Sequence, residues 1–129
     1  MSMTVHVGVQ SKIIPTKTGQ QTKYYPVVKS TGRISLMALA EKISLMSSLS
    51  TADVIGTIEA LTTVIPDEIA MGNIIDLGSF GSFTLTVRAR GVDSPDEVST
   101  KQIDKAVLSF RPGPRLKQVL KNIKFRRKK

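Results

Sequence analysis

The sequence predicts an α+β fold, because strand-like and helix-like patterns occupy separate stretches of the chain. Val5, Val7 and Val9 alternate with polar or small residues near the N-terminus, which is the period of a β-strand. After residue 34, apolar residues recur at three- and four-residue spacing, which is typical of amphipathic helices. Further strand-like segments and a last helix follow. The predicted order is therefore ββ, then ααββ, a polar connection, and βα.

The N-terminal segment predicts a β-hairpin. Residues 4–14 form the first strand, the turn-rich "PTKTGQ" follows, and "TKYYPVVK" forms the second strand. Pro26 indicates an edge strand or a bulge, because proline cannot donate a ladder hydrogen bond. His6, the only histidine, is expected on the surface of an edge strand, where it has no Cys or His partner for catalysis.

Two helices are predicted next, separated by "SLMSSL". Ser35 is placed to cap the first helix, and Ser50 and Asp53 form a capping box for the second. We expect Pro66 to kink or restart this second helix and Gly72 to end it. Its apolar face is wide for a short chain, which favours burial against a second subunit. That face comprises Val54, Ile55, Ile58, Leu61, Ile65 and Ile69.

The C-terminal part predicts a helix followed by a basic tail. Pro114 suits the first helical position. The tail, residues 124–129, is expected to be frayed. The buried stripe of the helix is predicted to be Leu116, Val119, Leu120 and Ile123.

Charge is segregated along the chain. Residues 43–87 contain five acidic residues and no Lys or Arg, whereas both flanks are basic and the whole chain carries +9. This pattern favours a polyanion-binding surface attached to a packing element. Absence of cysteine excludes disulfides and thiolate zinc sites. No signal peptide, membrane span, phosphate loop or catalytic triad is recognisable, so we expect a cytoplasmic protein that is not an enzyme.

Three motifs in order carry a family resemblance. "ALAEKIS", "LGSFGSF" and "FRPGPRLK" resemble the first helix, the Gly-Phe-Gly-x-Phe turn and the block that opens the last helix in the HU family of bacterial histone-like DNA-binding proteins. The resemblance covers residues 34–123. Residues 1–33 look like the N-terminal hairpin extension of Bacteroidetes-type HU-like domains, and residues 124–129 are the basic tail.

The resemblance implies an HU/IHF-like intertwined homodimer. Such a protein binds duplex DNA without sequence preference, bends or condenses it, acts in the nucleoid, and needs no cofactor, metal or small-molecule substrate. By the same resemblance, the turn and its neighbours have a structural role in the shared core of the dimer. These residues are Gly78, Phe80, Gly81, Phe83, Phe110 and Gly113.

The candidate DNA-binding residues are cations after residue 87, where phosphates are expected to lie. The family's arm ends in an Arg-Asn-Pro-x-Thr-Gly tip, but here the connection "GVDSPDEVSTKQID" is shorter, acidic and lacks that tip. Pro95 is therefore interpreted as a turn residue rather than a DNA wedge. The candidates are Arg88, Arg90, Lys105, Arg111, Arg115, Lys117, Lys121, Lys124 and Arg126 to Lys129.

Two other functions remain open. In the first, the fold is a dimeric scaffold whose acidic arm and added hairpin bind a protein partner. Alternatively, Tyr24 and Tyr25 beside Lys23 stack on the bases of RNA, although adjacent strand residues point to opposite faces. A preference for single strands over duplex separates the RNA-binding function from the DNA-binding one.

Overall fold

The computed structural model describes residues 4–127. Residues 1–3 and the last two tail residues, Lys128 and Lys129, lie outside the described part. The chain divides into two compact units, which we call the terminal unit (Met1–Ser35 with Val119–Lys129) and the central unit (Leu36–Gln118). Its elements are β1 (Thr4–Thr16), β2 (Gly19–Val28), α1 (Leu36–Leu45), α2 (Thr51–Ala70), β3 (Ile75–Asp76), β4 (Gly81–Ala89), β5 (Ile103–Pro112), α3 (Pro114–Asn122) and β6 (Lys124–Arg127).

The terminal unit contains a three-stranded sheet in the order β2-β1-β6. β1 and β2 form the predicted antiparallel hairpin around a turn at Lys17 and Thr18, and Gly19 has a positive φ there. Pro26 lies on an edge strand, β2, opposite Val9. The expected frayed tail was wrong: residues 124–127 form β6, which pairs in parallel with residues 4–7 of β1.

β6 changes the position of His6. It lies on the central strand of the sheet, opposite Arg126, rather than on an edge strand as expected. Its ring is half-buried, and Nδ1 is buried without a hydrogen-bond partner. The cause is the pairing of β6 with the side of β1 that a hairpin alone would leave open.

The central unit begins with the two predicted helices. The capping box of α2 is present: Asp53 N donates to Ser50 Oγ over 3.1 Å, and Ser50 N donates to Asp53 Oδ2 over 3.4 Å. α2 continues through Pro66, so the restart that the sequence suggested does not occur. Pro66 lacks an N–H donor, so α2 has one backbone hydrogen bond fewer at this point. Because the helix is twenty residues long, the hydrogen-bonded turns before and after Pro66 keep it continuous. Gly72 follows the helix with φ +85°.

An antiparallel sheet completes the central unit, in the order β3-β4-β5. Its register places Phe83 opposite Phe110 and Leu85 opposite Leu108, so one face of the sheet is apolar. The other face carries Ser82, Thr84 and Thr86. α3 begins at Pro114, as predicted, within the central unit and ends in the terminal unit.

A single chain buries little apolar surface. Among the described residues, the only buried hydrophobic side chains are Ala40 on α1 and Val54 on α2. The stripe predicted to be buried on α3 is not: Val119 and Leu120 are exposed, and Leu116 and Ile123 are half-buried.

Candidate nucleic-acid interface

The turn between β3 and β4 is attached to the start of α3 by backbone hydrogen bonds. Asp76 Oδ1 accepts from Gly78 N over 2.8 Å, which folds the turn. Gly113 N donates to Phe80 O over 2.9 Å, and Arg115 N donates to Ser79 O over 3.1 Å. The N-terminus of α3 therefore has a fixed position relative to the turn.

Two glycines make this attachment possible. A Cβ at Gly113 would lie 2.4 Å from Ser79 O, and one at Gly81 would lie 2.4 Å from Arg111 O. Gly81 also has φ +147°, a conformation that L side chains rarely adopt. A larger residue at either position would collide with backbone that cannot rotate away.

The aromatic residues of the turn meet on one side of the sheet. The Phe110 ring packs between those of Phe83, at 4.9 Å between centroids, and Phe80, at 5.7 Å. Both pairs are tilted, which is a favourable geometry for aromatic rings. Phe80 is still 50% exposed, so the cluster has an open side.

A surface depression of about 340 Å³ lies beside this turn. Arg111 and Lys117 line it together with the carboxylate of Asp76. Arg111 is directly opposite Ser82, on the polar face of the sheet. This depression brings two predicted DNA-binding cations together, but it includes one acidic group.

The far end of the same sheet carries three more predicted cations. Arg88 and Lys105 are directly opposite each other and share a face. Like charges in such a pair repel, so a polyanion would relieve the repulsion. Arg90 instead lies 3.9 Å from Asp104, at Nε to Oδ1, and part of its charge is offset.

The connection after Arg90 is a compact turn rather than a long arm. Ser94 caps one 3₁₀ turn, Pro95–Glu97, and Ser99 caps a second, Thr100–Gln102. Gln102 Nε2 donates to Arg90 O over 2.6 Å and closes the connection. Pro95 is the first residue of its 3₁₀ turn, as expected for a turn proline.

The remaining candidates belong to the terminal unit. Lys121 is on the part of α3 that lies there. Lys124 and Arg126 are on one face of β6, and Arg127 is on the other, because successive strand residues alternate. The predicted residues thus lie at the two ends of the central sheet, on α3 and on the two faces of β6.

Comparison with protein families gives one match. The family model described as "HU domain fused to wHTH, Ig, or Glycine-rich motif" (HU-HIG) matches residues 3–127, almost the whole chain. The chain belongs to the HU-HIG family. This confirms the HU-like resemblance of the sequence and agrees with the mixed α+β architecture. No curated protein sequence matches the chain.

A solved structure resembles this HU-HIG chain in fold. It is the "Putative bacterial DNA binding protein" of Bacteroides vulgatus, determined at 2.25 Å resolution. The two share 11% sequence identity with a TM-score of 0.61, and the match covers 96% of this chain. It covers 47% of that protein, so this chain spans about half the length of the structure it resembles.

Three cations of this HU-HIG chain are absent from the predicted DNA-binding residues, although Lys23 was considered for RNA binding. Lys12 and Lys23 are directly opposite each other in the hairpin, and Lys29 continues β2 beside His6, to whose carbonyl its N–H donates. The available signal was their spacing along the predicted strands, because alternate residues of a strand share a face. The described residues contain no group of three or more potential metal ligands, and no helix among them is long and apolar enough to span a membrane.

Proposed function

We propose that this HU-HIG chain binds double-stranded DNA as a homodimer, with little sequence preference, and organises or bends DNA in the bacterial nucleoid. The observation that carries the proposal is an HU-like fold combined with a net charge of +9. DNA has a high density of phosphate charge, so a protein of this charge is attracted to it without reading bases. The name of the similar Bacteroides vulgatus protein is consistent with this function.

Exposed apolar surface supports the homodimer. Leu61 and Val64 on α2 are 42% and 54% exposed, and Leu108 on β5 is 55% exposed. Residues 4–127 bury two hydrophobic side chains, which is little core for a chain of this length. A second copy would cover these faces, and by family resemblance the Phe80, Phe83 and Phe110 cluster would lie in the shared core.

The placement of the cations in the central unit supports binding without sequence preference. These cations flank a sheet and a turn, and Arg115 and Lys117 lie in the first turns of α3. Contacts of this kind position a protein on DNA but carry no sequence information.

A salt series on duplex DNA tests the proposal. We expect the intact chain to bind fluorescent 30-base-pair duplexes of two unrelated sequences with equal affinity. The logarithm of the binding constant should fall with the logarithm of salt concentration, with a slope of about −0.9 for each phosphate neutralised. Circular-permutation gel shifts measure bending. Failure to bind near physiological salt, or a preference for single-stranded RNA, would overturn the proposed function.

A dimeric scaffold for a protein partner is the second candidate. The acidic connection favours it, because Asp93, Asp96 and Glu97 stand where the family's arm approaches phosphates. A depression of about 400 Å³ lined mostly by apolar side chains, including Val87, Val98 and Ile103, lies beside this connection. Saturable binding of a protein, with no binding of duplex, would favour the scaffold over the DNA-binding function.

A further inference from the structure

The two units differ sharply in charge. The terminal unit, including its residues outside the described part, contains eleven Lys or Arg residues and no Asp or Glu, a net charge of +11. The central unit contains eight Lys or Arg residues against ten Asp or Glu residues, a net charge of −2. The net positive charge of the chain therefore comes from the terminal unit, whereas the central unit has a small net negative charge.

Strand register collects these cations on one face of the terminal sheet. Lys12 is opposite Lys23, and Arg126 is opposite His6. Directly paired residues share a face, and so do residues two apart on a strand. All of the cations on this face are exposed. We call it the basic face, and its cations are Lys12, Lys23, Lys29, Lys124 and Arg126.

Two contacts shape the basic face. The Lys29 side chain extends across Gly8, where there is no side chain in its way. A Cβ added at Gly8 would lie 2.4 Å from Lys29 Cε. The Lys12 ammonium lies 5.4 Å from the centroid of the Tyr25 ring, a cation–π contact. No described residue of the terminal unit offers a carboxylate, so these cations have no acidic partner within their own unit.

The opposite face of the same sheet is apolar. Val7, Pro26, Val28 and Phe125 line a shallow depression of about 340 Å³ there. Arg127 is on this face, opposite Val7. The two faces of the sheet therefore differ in chemistry, one being basic and the other mostly apolar. Neighbouring residues of β6 lie on different faces.

We propose that the basic face of the terminal sheet is the principal surface by which this protein contacts the phosphates of duplex DNA. The proposal rests on the DNA-binding function above and assigns it to the added sheet rather than to the HU-like unit. Lys29 and Arg126 lie beside His6, and Lys23 lies opposite Lys12. His6 and Lys12 are six residues apart on β1, so these two pairs of cations are about 20 Å apart. Duplex DNA carries about one phosphate charge per 1.7 Å of axis, so several phosphates fall within this span.

Arg126 and Arg127 provide a matched test. Both are exposed, adjacent on one strand and identical in charge, but they lie on opposite faces. We expect Arg126→Ala to weaken binding to a 30-base-pair duplex by up to about fivefold and to reduce the salt slope by about 0.9, as one phosphate contact is lost. Arg127→Ala should weaken binding less and reduce the salt slope less, because Arg127 lies on the other face. Equal losses from the two variants would overturn the assignment.

A second pair of variants tests the hairpin. We expect Lys12→Ala with Lys23→Ala to weaken duplex binding about tenfold or more and to reduce the salt slope by about 1.8. Lys17→Ala, in the turn of the same hairpin, is the control and should change the affinity little. Circular dichroism melts of all the variants establish that each is folded before its affinity is compared.

Variants of the central unit separate this assignment from the proposed function itself. If Arg111→Ala with Lys117→Ala removes binding while the basic-face variants keep it, the DNA-binding function stands. The basic face is then excluded as the principal surface that contacts phosphates. If the intact chain binds no duplex, the proposed function and the assignment fall together. A smaller loss of affinity in the Arg111 and Lys117 variant than in the basic-face variants is the expected result.

Discussion

Gly113 shows how one residue joins two motifs that are distant in sequence. Its N–H donates to Phe80 O, and the space where a Cβ would lie is occupied by backbone atoms of Gly78 and Ser79. Neither neighbour is the end of a flexible side chain. The glycine of "RPGPR" is therefore required by the turn at residues 78–80, more than 30 positions earlier, and not by its own conformation.

We predict that Gly113→Ala destabilises the protein by about 1–3 kcal/mol, the cost of forcing extra volume into a packed site. Urea unfolding followed by circular dichroism measures this as a lower midpoint. Gly32→Ala is the control, because nothing lies within 4 Å of a Cβ added at Gly32. A midpoint for Gly113→Ala equal to that of the control would contradict the close packing.

At the scale of elements, the start of α2 depends on a local motif. Ser50 and Asp53 satisfy each other's backbone N–H groups. We predict that Ser50→Ala lowers the free energy of unfolding by about 1 kcal/mol, because the Asp53 N–H loses its acceptor. Thermal melts measure the change, and Ser48→Ala, two residues earlier in the turn, should melt like the unchanged protein.

β6 is an element with a structural role as well as a charge. Its parallel pairing supplies a third strand beside residues 4–7 of β1. We predict that a chain ending at Asn122 loses hydrogen-exchange protection at residues 4–7 and keeps it in the β1–β2 pairing near Lys12 and Lys23. Mass spectrometry of deuterated peptides measures this. Unchanged protection of residues 4–7 would mean that β6 contributes nothing to the sheet. Removing the residues after Asn122 would then change only the charge of the chain.

At the scale of the whole molecule, exposed apolar surface predicts an obligate assembly. We expect twice the 14.1 kDa mass of one chain in light scattering, with a melting temperature that rises with protein concentration. Leu61→Gln should shift the mass toward the monomer, whereas Thr63→Gln, on the other side of α2, should not. A concentration-independent monomer would contradict the homodimer.

Sequence predicted the local features and missed the distant ones. The capping box of Ser50, the hairpin and the turn proline Pro95 depend on residues within a few positions of one another, so their patterns are visible in one stretch. β6 was missed because "KFRR" has no strong strand pattern, and it forms only by pairing with residues about 120 positions earlier. The basic face depends on that pairing and on the hairpin register, so no single stretch of the sequence displays it.

The pairing of β6 with β1 also determines when the terminal sheet can be completed. During synthesis the hairpin leaves the ribosome before residues 124–127, and the open side of β1 has no partner until they emerge. The central unit is translated in between and can fold before β1 is paired on that side. The terminal sheet is therefore completed only after the central unit has been translated, and a chain that stalls before residue 124 would present an unpaired strand edge instead of the complete basic face.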